Sequence, residues 1–536
     1  MNKINKNQSF VSVALISTIG LFLTRIISVA YLIPFAAMVF NTNANYVNSY
    51  AYTMFQPFYE LSLAGLPLAI ARLISIYNVN GQYKTANEVL KIAQRLMLVL
   101  GLVLMVLFVL FAQPFGQFKA PDNPELAQAT TLALYIMAPA LVLIPILSGM
   151  RGYLQGFKTV IGVSISQVVE RLAYVIILLS TLYITLNFFK IESGKAIAYA
   201  FIALPIATII TIFTLYPFYA KTRREHKILM ETSLDQIGSD KKFISRQLIL
   251  TALPFVISGL AATLYSQITL FTFEKIRIFA GATELLAKSE YTVINQWSDK
   301  LVSIPLTFSL AISVAIISFV TSAYESQDMR QTRKYVKKSY RMIFFTTLSA
   351  VLIMVTLSVP LITFFYNLDN VTTQFIAAVL RVDGFRGMAF ALETISVSVL
   401  LAFGEKKKAL IYSAIGPVVK LILNFPLVYF FGVYGDIFAT MLGLLMIVYL
   451  STRDILKLVD LKPYFIYNAI GKTIICSIPG FFLTLACNSL IMQFVPAVFE
   501  GRLLALIYLV LLGVINLAII WLMSKKINFW HLVFRG

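Results

Sequence analysis

Apolar runs of about twenty residues or more, separated by polar breaks, recur along this chain from end to end. A bilayer core of roughly 30 Å needs about 20 helical residues to cross it. The runs predict fourteen spans, at 9–39, 46–77, 92–112, 126–150, 160–186, 196–219, 248–273, 291–323, 342–366, 373–402, 409–431, 434–451, 465–491 and 501–523. They are continuously apolar, whereas barrel strands would be about ten residues long and alternate apolar with polar, so the expected spanning element is the helix. The pattern predicts an all-α polytopic membrane protein.

The pattern also repeats. The end of the second span and its following loop read LAIARLISIYNVNGQYKTANEVLKIAQR, closing at Arg95, and the eighth reads LAISVAIISFVTSAYESQDMRQTRKYVKKSYR, closing at Arg341. A second match sets LQGFKTVIGVSISQVVERL (154–172) against AFGEKKKALIYSAIGPVVKLI (402–422), with Gly156 opposite Gly404 and Arg171 opposite Lys420 after a one-residue gap. Spans one to six thus correspond to seven to twelve in the same order. Six is even, so each half enters and leaves on one side, which predicts two parallel six-helix repeats related by an axis along the membrane normal. The expected organisation is a first lobe at 1–219, a polar linker at 220–247, a second lobe at 248–457 and a terminal helix pair at 458–536 outside the duplication.

Composition agrees with a lipid-embedded chain: 59% of residues are hydrophobic, 13% are charged and the mean hydropathy is +0.83. The net charge of +20 suggests nucleic acid only until its distribution is considered. Most Lys and Arg lie in the termini and in loops after even-numbered spans, richest at Lys221–Arg246, Arg330–Arg341 and Lys406–Lys408. This is positive-inside asymmetry, so both termini are expected in the cytoplasm and nucleic-acid binding is needless. No cleavable signal peptide is apparent, because the first apolar stretch is too long for an h-region and no A-x-A-like site follows it. Cys476 and Cys487, both in the thirteenth span, suggest neither a disulfide framework nor a zinc site.

Ionisable groups inside the spans carry the functional signal, because each costs roughly 2.5–3.5 kcal/mol at the bilayer centre and must face protein or a wet cavity. Arg25 lies mid-way along the first span. Gln56 and Glu60 share a face of the second, where Pro57 and Pro67 bracket Gly65 and predict a kink. Arg72 sits near the cytoplasmic end, where snorkelling competes with a site role. Gln167, Glu170 and Arg171 lie in the fifth span, Lys420 in the eleventh, Asp299 and Lys300 ahead of Pro305 in the eighth, and Arg381, Asp383, Arg386 and Glu393 in the tenth. Charges of opposite sign so close in sequence are also expected to neutralise one another. Cations outnumber acids in the spans, which fits a cavity for an anionic headgroup such as a pyrophosphate, held by Arg with paired bonds and by Lys as a point charge. His226 and His531 are the only histidines, and neither G-x-x-x-x-G-K-[ST] nor H-E-x-x-H occurs. No ATPase is expected; a membrane potential, a Na+ or H+ gradient, consumption of the product or a partner would supply the energy, with no cofactor.

Four segments carry a resemblance to a known family: TRIISVAYLIPF (24–35), LAGLPLAIARLIS (63–75), RGYLQGFKTVIGVSISQVVE (151–170) and SDKLVSIPLTFSLAIS (298–313). With them the chain resembles the multidrug/oligosaccharidyl-lipid/polysaccharide exporter superfamily, and within it the MurJ-type lipid II flippases of the Gram-positive branch and their sporulation-type relatives. The resemblance implies a V of two lobes around a central cationic cavity, with the last two helices forming a groove for a lipid tail. It implies pyrophosphate contacts at Arg25 and Lys300 beside Asp299, and a coupling or gating role for Glu60. Gln56, Arg72, Arg151, Gln155, Glu170, Arg171 and Lys420 complete the candidate substrate-binding set. The chain departs from the pattern at Tyr31, where some members carry a second arginine, and at Glu60 and Leu61, where they carry arginines. The implied activity is flipping of undecaprenyl-pyrophosphate-linked peptidoglycan precursor in the bacterial cytoplasmic membrane. It would be performed by a monomer in contact with membrane lipids and cell-wall synthesis machinery. Export of another lipid-linked oligosaccharide is the alternative, followed by multidrug antiport. A membrane glycosyltransferase would need a large outer loop with a catalytic carboxylate, and the outer loops are short.

Overall fold

The structure is a computed structural model that describes residues 20, 23–40, 43–63, 66–157, 159–235, 241–306, 319–321, 323–324, 326–494 and 501–535. These residues are helical with short connections, and no strand occurs among them. Among the described residues, ten helices are long and apolar enough to cross a membrane. They are Tyr83–Lys119, Pro124–Gly156, Ile161–Asn187, Ser193–Glu231, Met329–Thr356, Asn370–Ala402, Lys406–Phe431, Val433–Leu458, Tyr464–Ile491 and Arg502–Lys526. The chain is a multi-pass membrane protein. The four other expected spans fall on the shorter apolar helices Leu23–Val39 and Ala69–Val79, the helix Asn43–Leu63, the helix Lys241–Phe279 and helical residues from Glu284 to 306. Residues 9–19 and 307–318, and Gly65 of the expected kink, lie outside the described residues.

Helix starts keep a fixed interval. Helices begin at Tyr83, Pro124 and Val160, and again at Met329, Asn370 and Lys406, each pair 246 residues apart. The polar segment 220–247 is largely helical: Ala203–Glu231 runs into it and Lys241–Phe279 starts within it. Lys, Arg and Glu are good helix formers, and Ala220–Glu231 holds neither Gly nor Pro.

The chain divides into two compact units, Met1–Leu264 and Tyr265–Gly536, with the division inside the helix Lys241–Phe279. In the first unit, Ala140–Gly156 crosses Leu66–Val79 with little space between them. A Cβ on Gly152 would lie 2.7 Å from the Pro67 carbonyl oxygen, and one on Gly156 2.8 Å from Ile74. The glycines of RGYLQG are therefore what the crossing needs, as small residues are wherever helices pack without a hydrophobic drive between them. Tyr153 between them is fully buried, and its hydroxyl meets His226 Nδ1 at 2.9 Å. His226 Nε2 lies 2.9 Å from the Tyr83 carbonyl. A carbonyl only accepts, so Nε2 carries the proton and Nδ1 receives the tyrosine hydroxyl. In the second unit, Lys406–Phe431 and Asn370–Ala402 pack on Val433–Leu458, and the terminal helices pack on each other and on residues 349–366. Cys476 is buried and Cys487 half-buried; both are free thiols.

The first unit closes on itself through residues 233–235. Gln82 offers the helix Tyr83–Lys119 no side-chain cap. Asp235 Oδ2 supplies one instead, accepting from the Thr85 amide at 2.7 Å and the Thr85 hydroxyl at 2.6 Å, while the Ser233 hydroxyl donates to Oδ1. Slight burial raises the Asp235 carboxyl, but these bonds outweigh it and hold the group below its ordinary value. A carboxyl depressed in the folded state stabilises above its unfolded pKa of about 3.9. Its contribution is lost as pH falls through the lower, folded value. Asp235→Ala is expected to cost about 1 kcal/mol, read as a lower melting temperature in detergent at pH 7, and the gap between variant and parent should shrink as pH drops below about 4.

Candidate functional site

Within the first unit the expected polar residues gather around helices Asn43–Leu63, Ala140–Gly156 and Val160–Asn187. Arg151, 8% exposed, donates from Nε to the Ser166 hydroxyl at 3.0 Å and from Nη2 to Glu170 at 2.6 Å. Glu170 is thereby occupied. Half-buried Tyr59 lies in the electrostatic reach of Glu170, Glu60 and Arg151. Glu60, one turn beyond Gln56, is half-buried and makes no ion pair or hydrogen bond among the described residues. Gln155 and Gln167 are also half-buried, and Arg72 is exposed. Arg25 is exposed on the helix Leu23–Val39.

Arg171 stands apart. Its guanidinium carbon lies 5.4 Å from the Tyr31 ring centre and 5.2 Å from that of Tyr174, within range of cation–π attraction. It forms no ion pair among the described residues, and its Nε is buried without a hydrogen-bond partner. The residue is eleven positions into the helix Val160–Asn187, roughly 17 Å along it, too deep for easy snorkelling. Tyr31, which the resemblance marked as a departure, is thus one wall of a cation site whose arginine comes from another helix. Tyr59, Ser166 and Tyr174 were missed by sequence reasoning. Tyrosines in a span look like packing, and only the fold brings these near charges.

Among the described residues of the second unit, Asp299, Asp383, Arg386 and Lys420 fall into two networks. In the first, Arg386 grips Asp383 with Nε at 2.5 Å and Nη2 at 3.1 Å, and reaches Asp299 at 3.0 Å. Ser298 donates to fully buried Asp383 at 2.5 Å. Ser298 closes a π-helical turn, Val293–Ser298, that delivers Asp299 and half-buried Lys300; such turns re-aim side chains within helices. In the second, Lys420, 1% exposed, bonds Thr269 at 2.6 Å, Thr440 at 2.8 Å and Asp436 at 3.2 Å. Arg381 bonds the Ser358 hydroxyl at 2.9 Å. The charge that the sequence aligned with Arg171 is therefore satisfied within its own unit, while Arg171 faces two tyrosine rings and forms no ion pair among the described residues. No group of three or more potential metal ligands occurs among the described residues.

A bundle of apolar helices pinned by buried ion pairs, with a half-buried arginine deep in a helix that forms no ion pair among the described residues, fits a transporter. Comparison with known proteins agrees. Residues 11–316 match the polysaccharide biosynthesis protein family, more than half of the chain, and the chain belongs to that family. It is 29% identical over 429 residues to the lipid II flippase MurJ of Bacillus subtilis (strain 168), covering 80% of this chain and 78% of that one. Its fold is similar to a solved lipid II flippase MurJ in an inward closed conformation, with a TM-score of 0.67, 14% identity, 96% of this chain covered and 100% of the other. It is also similar to an inward-facing multidrug resistance MATE family transporter of the MOP superfamily, with a TM-score of 0.63, 14% identity, 83% of this chain covered and 99% of the other. The MurJ-type resemblance carried by the four sequence segments is borne out.

Breaking a buried pair leaves the survivor uncompensated, at a cost of about 3–5 kcal/mol. Lys420→Ala should therefore lower the melting temperature of the purified protein strongly, and Lys420→Met combined with Asp436→Leu should recover most of the loss. A single variant as stable as its parent would show that the pair is not structural.

Proposed function

We propose that this chain is a flippase that carries undecaprenyl-pyrophosphate-linked peptidoglycan precursor, lipid II, from the cytoplasmic to the outer leaflet by rocking of two parallel six-helix halves. Fourteen helices with both termini in the cytoplasm complete this reading. The observation that carries it is Arg171, a guanidinium deep in a span with an N–H that has no hydrogen-bond partner among the described residues and two tyrosine rings beside it. A diphosphate is the partner such a group lacks, since Arg matches phosphate oxygens with directed, charge-assisted bonds. Arg25 and Lys300 are the further pyrophosphate contacts, and Glu60 is the carboxylate for coupling to an ion gradient or the membrane potential. The 246-residue interval between helix starts supports the duplication, and the identity with the Bacillus MurJ supports the substrate.

Coverage separates the rivals. The flippase structure matches 96% of this chain and the multidrug transporter 83%, a difference close to the length of the terminal helix pair Tyr464–Lys526. We assign that pair to the lipid tail. Multidrug antiport would prefer free carboxylates for cationic drugs; Glu170, Asp383, Asp299 and Asp436 are each taken by a cation, which leaves Glu60 and Glu393 as acids without an ion pair among the described residues, so coverage rather than charge weighs against this rival. Export of another lipid-linked glycan shares all these features and differs only in the sugar.

Depleting the protein in cells and measuring which lipid-linked precursor stays on the inner leaflet tests the substrate; accumulation of a teichoic or capsular intermediate with normal lipid II flux would remove the assignment. Loss of one charge-assisted bond of about 1.5–3 kcal/mol predicts that Arg171→Ala slows flipping about 10- to 100-fold at normal membrane abundance, with Arg171→Lys intermediate and Arg25→Ala similarly impaired. Wild-type growth of Arg171→Ala would make that arginine merely structural.

A further inference from the structure

The helix Met329–Ile343 reads MRQTRKYVKKSYRMI, with six cations and no carboxylate. Its inner face is fixed: Thr332, Val336, Ser339, Tyr340 and Ile343 are buried, and the Tyr340 hydroxyl bonds Ser396 at 3.0 Å and Thr452 at 2.9 Å on two neighbouring helices. Arg330, Arg333, Lys334, Lys337, Lys338 and Arg341 recur at intervals of three and four, so they share one side of the helix. All six line a cavity of about 370 Å³ together with Leu532 of the C-terminal segment. That volume lies in the range of about 300–1,000 Å³ usual for ligand sites.

Like charges at these spacings destabilise a helix, so a stripe that converges on one cleft favours a bound anion. The nearest carboxylate contact is weak: Arg333 meets Asp460 at 3.4 Å, and the Asp460 side chain is 95% exposed. The aligned segment of the first half solves the same problem differently. There KTANEVLKIAQR carries its own acid, and Lys91 bonds Glu88 at 2.7 Å. The two segments thus differ: Arg330, Lys334, Lys337 and Arg341 form no ion pair among the described residues.

We propose that this cleft holds the phosphate headgroup of an anionic glycerophospholipid of the bilayer. The helix carrying the stripe runs on through Thr356 as one apolar span, which sets Lys337, Lys338 and Arg341 within about 7 Å of the apolar stretch, the depth of the headgroup layer, with the other three cations further out along the same face. Leu532 supplies an apolar wall for the glycerol and upper acyl carbons, and Phe529 behind it is fully buried. A cationic patch of this size at a membrane surface attracts anionic lipid at about fivefold in affinity per cation. The assignment is independent of which glycan the protein flips.

The test uses the full chain in detergent micelles titrated with phosphatidylglycerol or phosphatidylcholine, with retained lipid counted by native mass spectrometry and stability read by thermal melting. Wild type should retain phosphatidylglycerol selectively and melt higher with it. Lys334→Gln, Lys337→Gln and Lys338→Gln together should weaken that binding about 100-fold, while the three Lys→Arg changes should preserve it. An off-cleft variant removing the same charge from exposed positions, Lys406→Gln, Lys407→Gln and Lys462→Gln, should bind as wild type does. If the triple Gln variant does not fold, Arg330→Gln with Lys334→Gln, both at exposed positions, carries the comparison at about 25-fold. Equal retention of the two lipids by wild type, or equal losses in the cleft and off-cleft variants, would overturn the site. Stabilisation by millimolar inorganic phosphate equal to that by phosphatidylglycerol would overturn the lipid as occupant.

Discussion

The constraint on which this structure depends is the cost of a charge in hydrocarbon, a few kcal/mol for each side chain at mid-membrane. Three clusters answer it by pairing: Arg151 with Glu170, Arg386 with Asp383 and Asp299, and Lys420 with Asp436. Each joins different helices, and the hydroxyls of Ser166, Ser298, Thr269 and Thr440 fill the remaining bonding positions. In lipid the hydrophobic effect no longer drives helices together, so packing and polar bonds must set their register. These networks therefore work as fasteners, much as apolar side chains do in a water-soluble core. The close crossing at Gly152 and Gly156 serves the same end by shape rather than by charge.

Much of the fold was legible because hydropathy is a strong and additive signal: ten expected spans reappear as long apolar helices, with ends shifted by anything from a residue to more than three turns, the most at Met329–Thr356. The largest end shifts are where a span continues as an amphipathic helix outside the apolar stretch, as Tyr83–Lys119 and Ala203–Glu231 do, because hydropathy marks the membrane and not the helix. Charged residues inside spans were equally easy to find. Their roles were not, since pairing depends on which helices are neighbours. Lys420 and Arg171 look alike along the chain, yet one is surrounded by Asp436 and two threonines and the other by Tyr31 and Tyr174. The sequence correctly anticipated neutralisation in the Asp383–Arg386 segment, because partners three residues apart on a helix are forced together. It had no means of finding Ser166, 15 residues along the chain from the arginine it holds and on another helix.

The halves have used similar material for unlike ends. In the second unit, Arg386 and Lys420 are consumed by carboxylates, which makes their helices a rigid frame. In the first, Arg171 keeps an unmatched N–H and Glu60 has no partner among the described residues. An unmatched buried donor is costly unless something completes it part of the time. A carrier needs such groups, because a site fully satisfied by protein has no reason to take up a ligand, and one satisfied too well by ligand has no reason to release it. Aromatic rings are a fitting compromise: cation–π attraction of about 0.5–2 kcal/mol shelters the guanidinium, yet is weak enough for the proposed diphosphate to displace.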